Sequence, residues 1–150
     1  MAEPFTDQTV IITGATKGIG RAMAAAFGAA GANILATGRT KDELDSICLE
    51  VERSGAKAVA LVADLAIEDS AGRIADAALA TFGRIDVLVN NAAIIHDSAD
   101  LADFDSALWQ RVLYVNLVAP ALLTKAVLPH MIERGGGKII NIASIGGRRG

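Results

Sequence analysis

A chain of 150 residues with 52% hydrophobic but only 4% aromatic side chains is the size of one domain, with a core of Ala, Val, Ile and Leu. Its net charge of −3 supplies no basic stripe, which argues against nucleic acid and anionic membranes as partners. The start Met1-Ala2-Glu3-Pro4 lacks the basic and apolar regions of a secretory signal, so a soluble, cytoplasmic protein is expected.

In chain order, Thr9-Val10-Ile11-Ile12 reads as a buried strand and the alanine-rich Arg21–Ala30 as a helix. Thr13-Gly14-Ala15-Thr16-Lys17-Gly18-Ile19-Gly20 therefore occupies a strand-to-helix turn. There Gly14 suits the positive φ of a tight turn, Gly18 lets a pyrophosphate approach the backbone, and Gly20 lets the helix pack close to the sheet. Free N–H groups at the helix start then face an anion. From three glycines alone, a turn without any ligand reads equally well. The uncharged run Ala22–Gly38 is interrupted by Gly28, Gly31 and Asn33 and reads as helix, turn and strand, not as a membrane span.

Strand-like runs recur at Asn33–Thr37, Ala58–Val62, Asp86–Asn90 and Lys138–Ala143, separated by segments of helical periodicity. That alternation predicts an α/β fold: a doubly wound parallel sheet with helices on both faces and a ligand crevice at the carboxyl ends of the strands. Asp103–Arg134 reads as one helix or two, because Pro120 removes a hydrogen bond and kinks or breaks a helix. Cys48, the single cysteine, falls in a helical segment and reads as a buried inert thiol. His96 and His130 have no ligand spacing around them, and no metal site is assigned.

Polar residues fall where the strands end, and jointly they give the sequence its character. Thr13 to Gly20, Asp64 after the third strand, Asn90-Asn91-Ala92-Ala93 after the fourth, Asn116 in the long helix and Ser144 after Asn141-Ile142-Ala143 together resemble the short-chain dehydrogenase/reductase family along all 150 residues. The resemblance implies a Rossmann-type fold and hydride transfer between a nicotinamide cofactor and a small alcohol or carbonyl compound. It implies a cofactor set of Gly14, Thr16, Lys17, Gly18, Ile19 and Gly20, with Asp64 and Leu65 near the adenine, and Asn91, Ala92 and Ala93 after the fourth strand. Ala93 replaces the family's glycine and adds a methyl where the ribose passes. Ser144 would orient the substrate carbonyl, and Asn116 would join it in catalysis.

Each of these residues also has a plain structural reading. Asp64 could cap the helix after it, Asn90 and Asn91 could be turn formers, and Ser144 could be a loop hydroxyl. Asn116, flanked by Val115 and Leu117, needs a hydrogen-bond partner if buried, which a structural water or a proton path would supply.

Cofactor choice follows from charge at the end of the second strand, where an NAD-selective fold places an acidic residue. Here the chain reads Thr37-Gly38-Arg39, so no carboxylate repels a 2′-phosphate. Arg39 offers a fork of donors to bind one, with Lys17 as a second cation. A charge-assisted hydrogen bond is worth roughly 1.5–3 kcal/mol, a factor of about ten to a hundred in affinity. NADP is expected over NAD, although solvated surface charges are the ordinary state of Lys and Arg.

The resemblance also implies a tyrosine with a lysine four residues later, on a helix after the serine-bearing strand. Tyr114 is the only tyrosine, and Val118 stands four residues on. Tyr114 therefore reads as a packing residue with a polar tip. Residues 1–150 are expected to be a Rossmann domain whose C-terminal part is absent after the fifth strand, leaving Ile139–Ala143 as an exposed edge. Without its general acid or base such a chain loses about 10²–10⁴ in rate, so it alone is expected to be nearly inactive. The alternative is an inactive nucleotide-binding or subunit-interaction module. His96, Asp97 and Ser98 read as a crevice wall or a solvated loop, and Gly146–Gly150 as a loop. The complete protein is expected to be a homo-oligomer, dimer or tetramer, built on the helices of Asp103–Arg134.

Overall fold

The computed structural model describes residues 4–95, 100 and 102–145. His96, Asp97, Ser98 and Gly146–Gly150 lie outside the described residues. Five strands, β1 (Thr9–Thr13), β2 (Asn33–Gly38), β3 (Ala58–Val62), β4 (Val87–Asn90) and β5 (Lys138–Asn141), form one parallel sheet in the order β3-β2-β1-β4-β5. Helices α1 (Gly18–Ala29), α2 (Lys41–Glu52) and α3 (Ser70–Phe82) connect the first four strands. The long segment before β5 carries α4 (Ser106–Leu113), a π-turn over Tyr114–Val118, and α5 (Ala119–Glu133).

The period of two along each strand sorts the core into two layers. Val10 and Ile12 of β1 pack with Ala24 of α1 and Leu44, Ile47 and Val51 of α2 on one face. Ile11, pointing the other way, packs with Ile74 and Ala78 of α3 and Leu123 and Val127 of α5. Helices thus cover both faces of the sheet, the doubly wound arrangement that the sequence predicts. The chain winds from β1 out to β3 and then crosses back to β4 on the other side of β1, which puts the switch point between β1 and β4.

The strand boundaries shift by a few residues from those expected. Helix α1 starts at Gly18, three residues before Arg21, because the glycine loop is already wound there. Strand β5 stops at Asn141, although the Ile142 N–H still donates to the Asn90 carbonyl at 2.9 Å. Ala22–Gly38 is helix, turn and strand as read.

Pro120 neither breaks nor splits the long helix. Its ring crowds the carbonyl four residues back, that of Asn116, and it offers that carbonyl no N–H. The backbone widens just upstream into the π-turn, where the Ala119 N–H reaches the Tyr114 carbonyl, and helical path continues from Ser106 to Glu133. By length and composition this 28-residue helix could cross a membrane. In the fold, Ala119, Leu123, Val127 and Met131 bury one stripe of it against the sheet.

The amino ends of the strands are locked by charge. Asp86 accepts the Thr9 N–H at 2.8 Å and takes a bidentate hold from Arg84 at 2.7 and 2.6 Å. Burial pushes the Asp86 carboxyl up, but the hydrogen bonds from Arg84 and Thr9 outweigh it and hold the group below the usual carboxylate range. A depressed folded value means that the carboxylate's stabilisation is complete above the unfolded value and fades as pH falls through the folded one. Asp86→Ala is expected to cost about 1–3 kcal/mol in urea unfolding at pH 7. The gap from wild type should hold above about pH 5 and narrow below the ordinary carboxylate pKa of about 3.9.

Cys48 sits on the buried stripe of α2 with Leu44, Ile47 and Val51, as its helical position suggests. Burial pushes its thiol up to about 11, helped by Glu52 and Asp45. At pH 8 only about one thiol in a thousand is then ionised. Labelling by a thiol reagent at that pH should be slow in the native protein and rapid in urea; equal rates would place Cys48 at the surface.

Candidate cofactor cleft

Beyond the last ladder bonds of β1 and β4, backbone groups must find other partners. Thr13, 1% exposed, supplies them. Its Oγ1 accepts the N–H groups of Asn91 and Ala92, both at 3.0 Å, and donates to the Val89 carbonyl at 3.3 Å. Asn91 reciprocates, its Nδ2 donating to the carbonyls of Thr13 at 2.9 Å and Gly14 at 3.2 Å. The turn-forming reading of Asn91 is therefore correct in its effect, because it ties the glycine loop to the end of β4. Asn90 points to the other side, its Nδ2 donating to Asn141 Oδ1 at 2.9 Å and joining β4 to β5.

This stitch frames a cleft of about 260 Å³ over the carboxyl ends of β1 to β4. Of the twelve residues expected around a cofactor, nine line it: Gly14, Thr16, Lys17, Arg39, Asp64, Leu65, Asn91, Ala92 and Ala93. Gly18, Ile19 and Gly20 do not; they form the first turn of α1 beside it. Gly14 has the positive φ expected, +65°. Gly20 is buried where the helix meets the ends of β1 and β4. A Cβ there would lie 2.2 Å from the Gly14 carbonyl oxygen and 2.5 Å from Asn91 Nδ2, so its missing side chain makes room for the loop and the stitch.

The cleft fits a dinucleotide phosphate in its polar groups. Its floor meets the start of α1, where N–H groups lack helical acceptors. Thr37 lines the cleft, and its buried Oγ1 has no hydrogen-bond partner among the described residues. Arg39 and Lys17 are exposed at the rim and form no ion pair among the described residues.

Asp64 is not a helix cap. Helix α3 begins at Ser70 with Asp69 at its N-cap, and Asp64 instead closes a local turn, Oδ1 accepting the Ala66 N–H at 2.9 Å. Its backbone carbonyl accepts the Ser70 hydroxyl at 2.6 Å, and Oδ2 pairs with Arg111 Nη2 at 3.0 Å.

Asn116 is exposed on the π-turn, and its amide pairs with one peptide group: Oδ1 accepts the Ile94 N–H at 2.8 Å and Nδ2 donates to the Ile94 carbonyl at 2.9 Å. A peptide group is its partner, and Ile94 lines the cleft. Ser144 follows β5 and is exposed. Asn116 and Ser144 both lie outside the enclosed part of the cleft. Tyr114 is half-buried on the π-turn beside Leu65 and Leu122, which suits a packing residue.

Sequence reasoning missed Thr37, Gly38, Ala63, Ile94 and Val115 as lining residues. The first three follow from strand ends and could have been found by extending the rule applied to Asp64. Ile94 and Val115 face the cleft through the Asn116 contact and carry no local signal.

Thr13→Val removes the acceptor of two N–H groups and should cost about 1–3 kcal/mol per orphaned group. Thr13→Ser should restore most of it. Equal losses for the two variants in urea unfolding would assign the effect to packing instead of the hydroxyl.

Residues 8–150 match the family described as short chain dehydrogenase. A short chain dehydrogenase of Pseudocercospora fijiensis is 41% identical over 140 residues, covering 92% of this chain and 45% of the relative. The cis-4-hydroxycyclohexanecarboxylate dehydrogenase of Sinomonas cyclohexanicum is 37% identical over 150 residues, covering 100% of this chain and 60% of the relative. The chain thus spans about half the length of the curated relatives it matches. Among solved structures, a metagenomic short-chain oxidoreductase in complex with NADP superposes with a TM-score of 0.90 at 38% identity, covering 93% of this chain and 63% of that one. An NAD+-bound xylitol dehydrogenase gives 0.92 at 31%, covering 98% and 56%. With its Thr13 to Gly20 loop, its parallel sheet and its cleft at the β1/β4 switch point, this chain belongs to the short-chain dehydrogenase/reductase family.

Proposed function

We propose that the complete protein is an NADP-dependent oxidoreductase of the short-chain type, acting on a small alcohol or carbonyl compound. The observation that carries this reading is the switch-point cleft with Arg39 and Lys17 at its rim. A bound nicotinamide would supply or accept the hydride. The chain's own residues would bind and orient: the free N–H groups at the start of α1 would hold a pyrophosphate, and Arg39 with Lys17 a 2′-phosphate. Asn116 holds Ile94 and with it one wall of the cleft. Ser144 would orient the substrate carbonyl.

Related structures hold either NADP or NAD+, so the choice for this chain rests on its own β2 end. Thr37-Gly38-Arg39 carries no carboxylate to accept a ribose 2′-hydroxyl, and its one charge is cationic. A cytoplasmic location and a homo-oligomer belong to the same proposal. The oligomer is supported by exposed Leu108, Trp109, Leu113 and Leu117 along the outer side of the long helix.

A second reading, a nucleotide-binding or subunit-interaction module without turnover, is supported by the exposed apolar side chains of the long helix, Leu108, Leu113 and Leu117 among them. Tight NADPH binding with no carbonyl reduction across a substrate panel would select it.

Arg39→Ala should weaken NADPH by about ten- to a hundredfold and leave NADH nearly unchanged in calorimetric titrations. An unaltered NADPH-to-NADH ratio would remove NADP from the proposal.

A further inference from the structure

Strands β4 and β5 end side by side, with Asn90 opposite Asn141, and the Ile142 N–H carries the pairing one step further to the Asn90 carbonyl at 2.9 Å. The two segments that leave them, residues 91–95 and 142–145, therefore start together on the β5 side of the sheet, away from Asp64 after β3. Of their nine residues four are isoleucine and none is charged. Ile95 is 92% exposed and Ile145 65%, while Ile94 lines the cleft. Ser144 carries the single hydroxyl of the two segments.

The amides at this end are turned into the fold. Asn91 gives Nδ2 to the carbonyls of Thr13 and Gly14, Asn90 gives Nδ2 to Asn141 and Thr124, and Asn116 pairs with the Ile94 peptide. A carboxylate or a row of hydroxyls placed here would lose water and gain few donors in exchange, which is costly. An alkyl chain or ring would instead cover isoleucine surface that otherwise faces water. Apolar walls around a small number of polar anchors are the common form of a small-molecule site.

We propose that Ile95 and Ile145 are specificity-determining residues that select an uncharged, apolar substrate, an alicyclic or branched alkyl ketone or its secondary alcohol, and disfavour keto acids and sugars. The inference rests on the oxidoreductase reading above and names the substrate class of that site. The Ser144 hydroxyl donates to the carbonyl oxygen, and the isoleucines cover the hydrocarbon. The carbonyl carbon takes a hydride from NADPH and its oxygen a proton that derives from water, which leaves a secondary alcohol and NADP+. Asn116, by holding the Ile94 peptide, fixes the segment on which Ile95 stands.

The test is steady-state reduction by the complete protein, with NADPH, of two ketones that share a ring: 4-methylcyclohexanone and 4-oxocyclohexanecarboxylate. Wild type should favour the methyl ketone by about tenfold or more in kcat/KM. Ile95→Ala should lower kcat/KM for the methyl ketone about tenfold, mostly through KM, and leave the carboxylate nearly unchanged. Ile145→Ala should act in the same sense, and Ile95→Lys should cut the preference to near unity by offering the carboxylate a charge. NADPH affinity, read by calorimetry, should stay constant throughout. Both isoleucines are exposed, so the variants should keep the fold, and thermal melts check it. A role in packing alone would lower the rates for both ketones equally, and that result in the two alanine variants overturns the proposal. A wild type that prefers the carboxylate or a ketose, or reduces the two cyclic ketones alike, overturns it while leaving the oxidoreductase reading intact. A wild type that binds NADPH yet reduces neither these ketones nor a ketose overturns both.

Discussion

One buried hydroxyl holds the two halves of the sheet together where they part. Thr13 Oγ1 takes two N–H groups from the chain leaving β4 and gives its own proton to β4, while Asn91 returns two bonds to the chain leaving β1. At a switch point the successive connections run to opposite sides, and nothing in the ladder itself fixes the angle between them. The stitch fixes it with groups that would otherwise be unpaired. The glycine loop, the floor of the cleft and the wall after β4 therefore share one rigid reference, and a ligand meets a site whose parts are already placed.

The two ends of the sheet use charge in opposite ways. At the amino ends, Arg84 and Asp86 satisfy each other and the Thr9 N–H, which is a stabilising use. At the carboxyl ends, Arg39 and Lys17 stand unpaired among the described residues beside a buried Thr37 hydroxyl with no partner. The unpaired cations at the carboxyl ends stand where a ligand anion could complete them.

The sheet was legible because its strands are short apolar runs whose signal is local: β3 matches its expected bounds, and the others differ at their ends by one or two residues. The cleft was legible in outline because its residues follow strand ends. Its cross-links were not. Arg111 and Asp64 lie 47 positions apart, and Asn116 and Ile94 lie 22 apart, so their pairing depends on how the long helix docks. Pro120 announced a disturbance without announcing its form, since a proline is accommodated by a break, a kink or a widened turn. The buried stripe of Ala119, Leu123 and Val127, together with the grip of Asn116 on Ile94, selects the widened turn.

That widened turn also sets a phase. A π-turn carries one residue more than the α-helical turn it replaces, and each residue of an α-helix advances the side chains by about 100°. Deleting one residue from Tyr114–Val118 would leave a helix of normal winding and an α5 still seated on the sheet. It would also swing α4 around the common axis by more than a quarter of a circle. Arg111 would then point away from Asp64 while the buried stripe of α5 stayed on the sheet. The extra residue is a rotational offset written into the chain, and it lets a helix that packs by one rule address a cleft that lies in another direction.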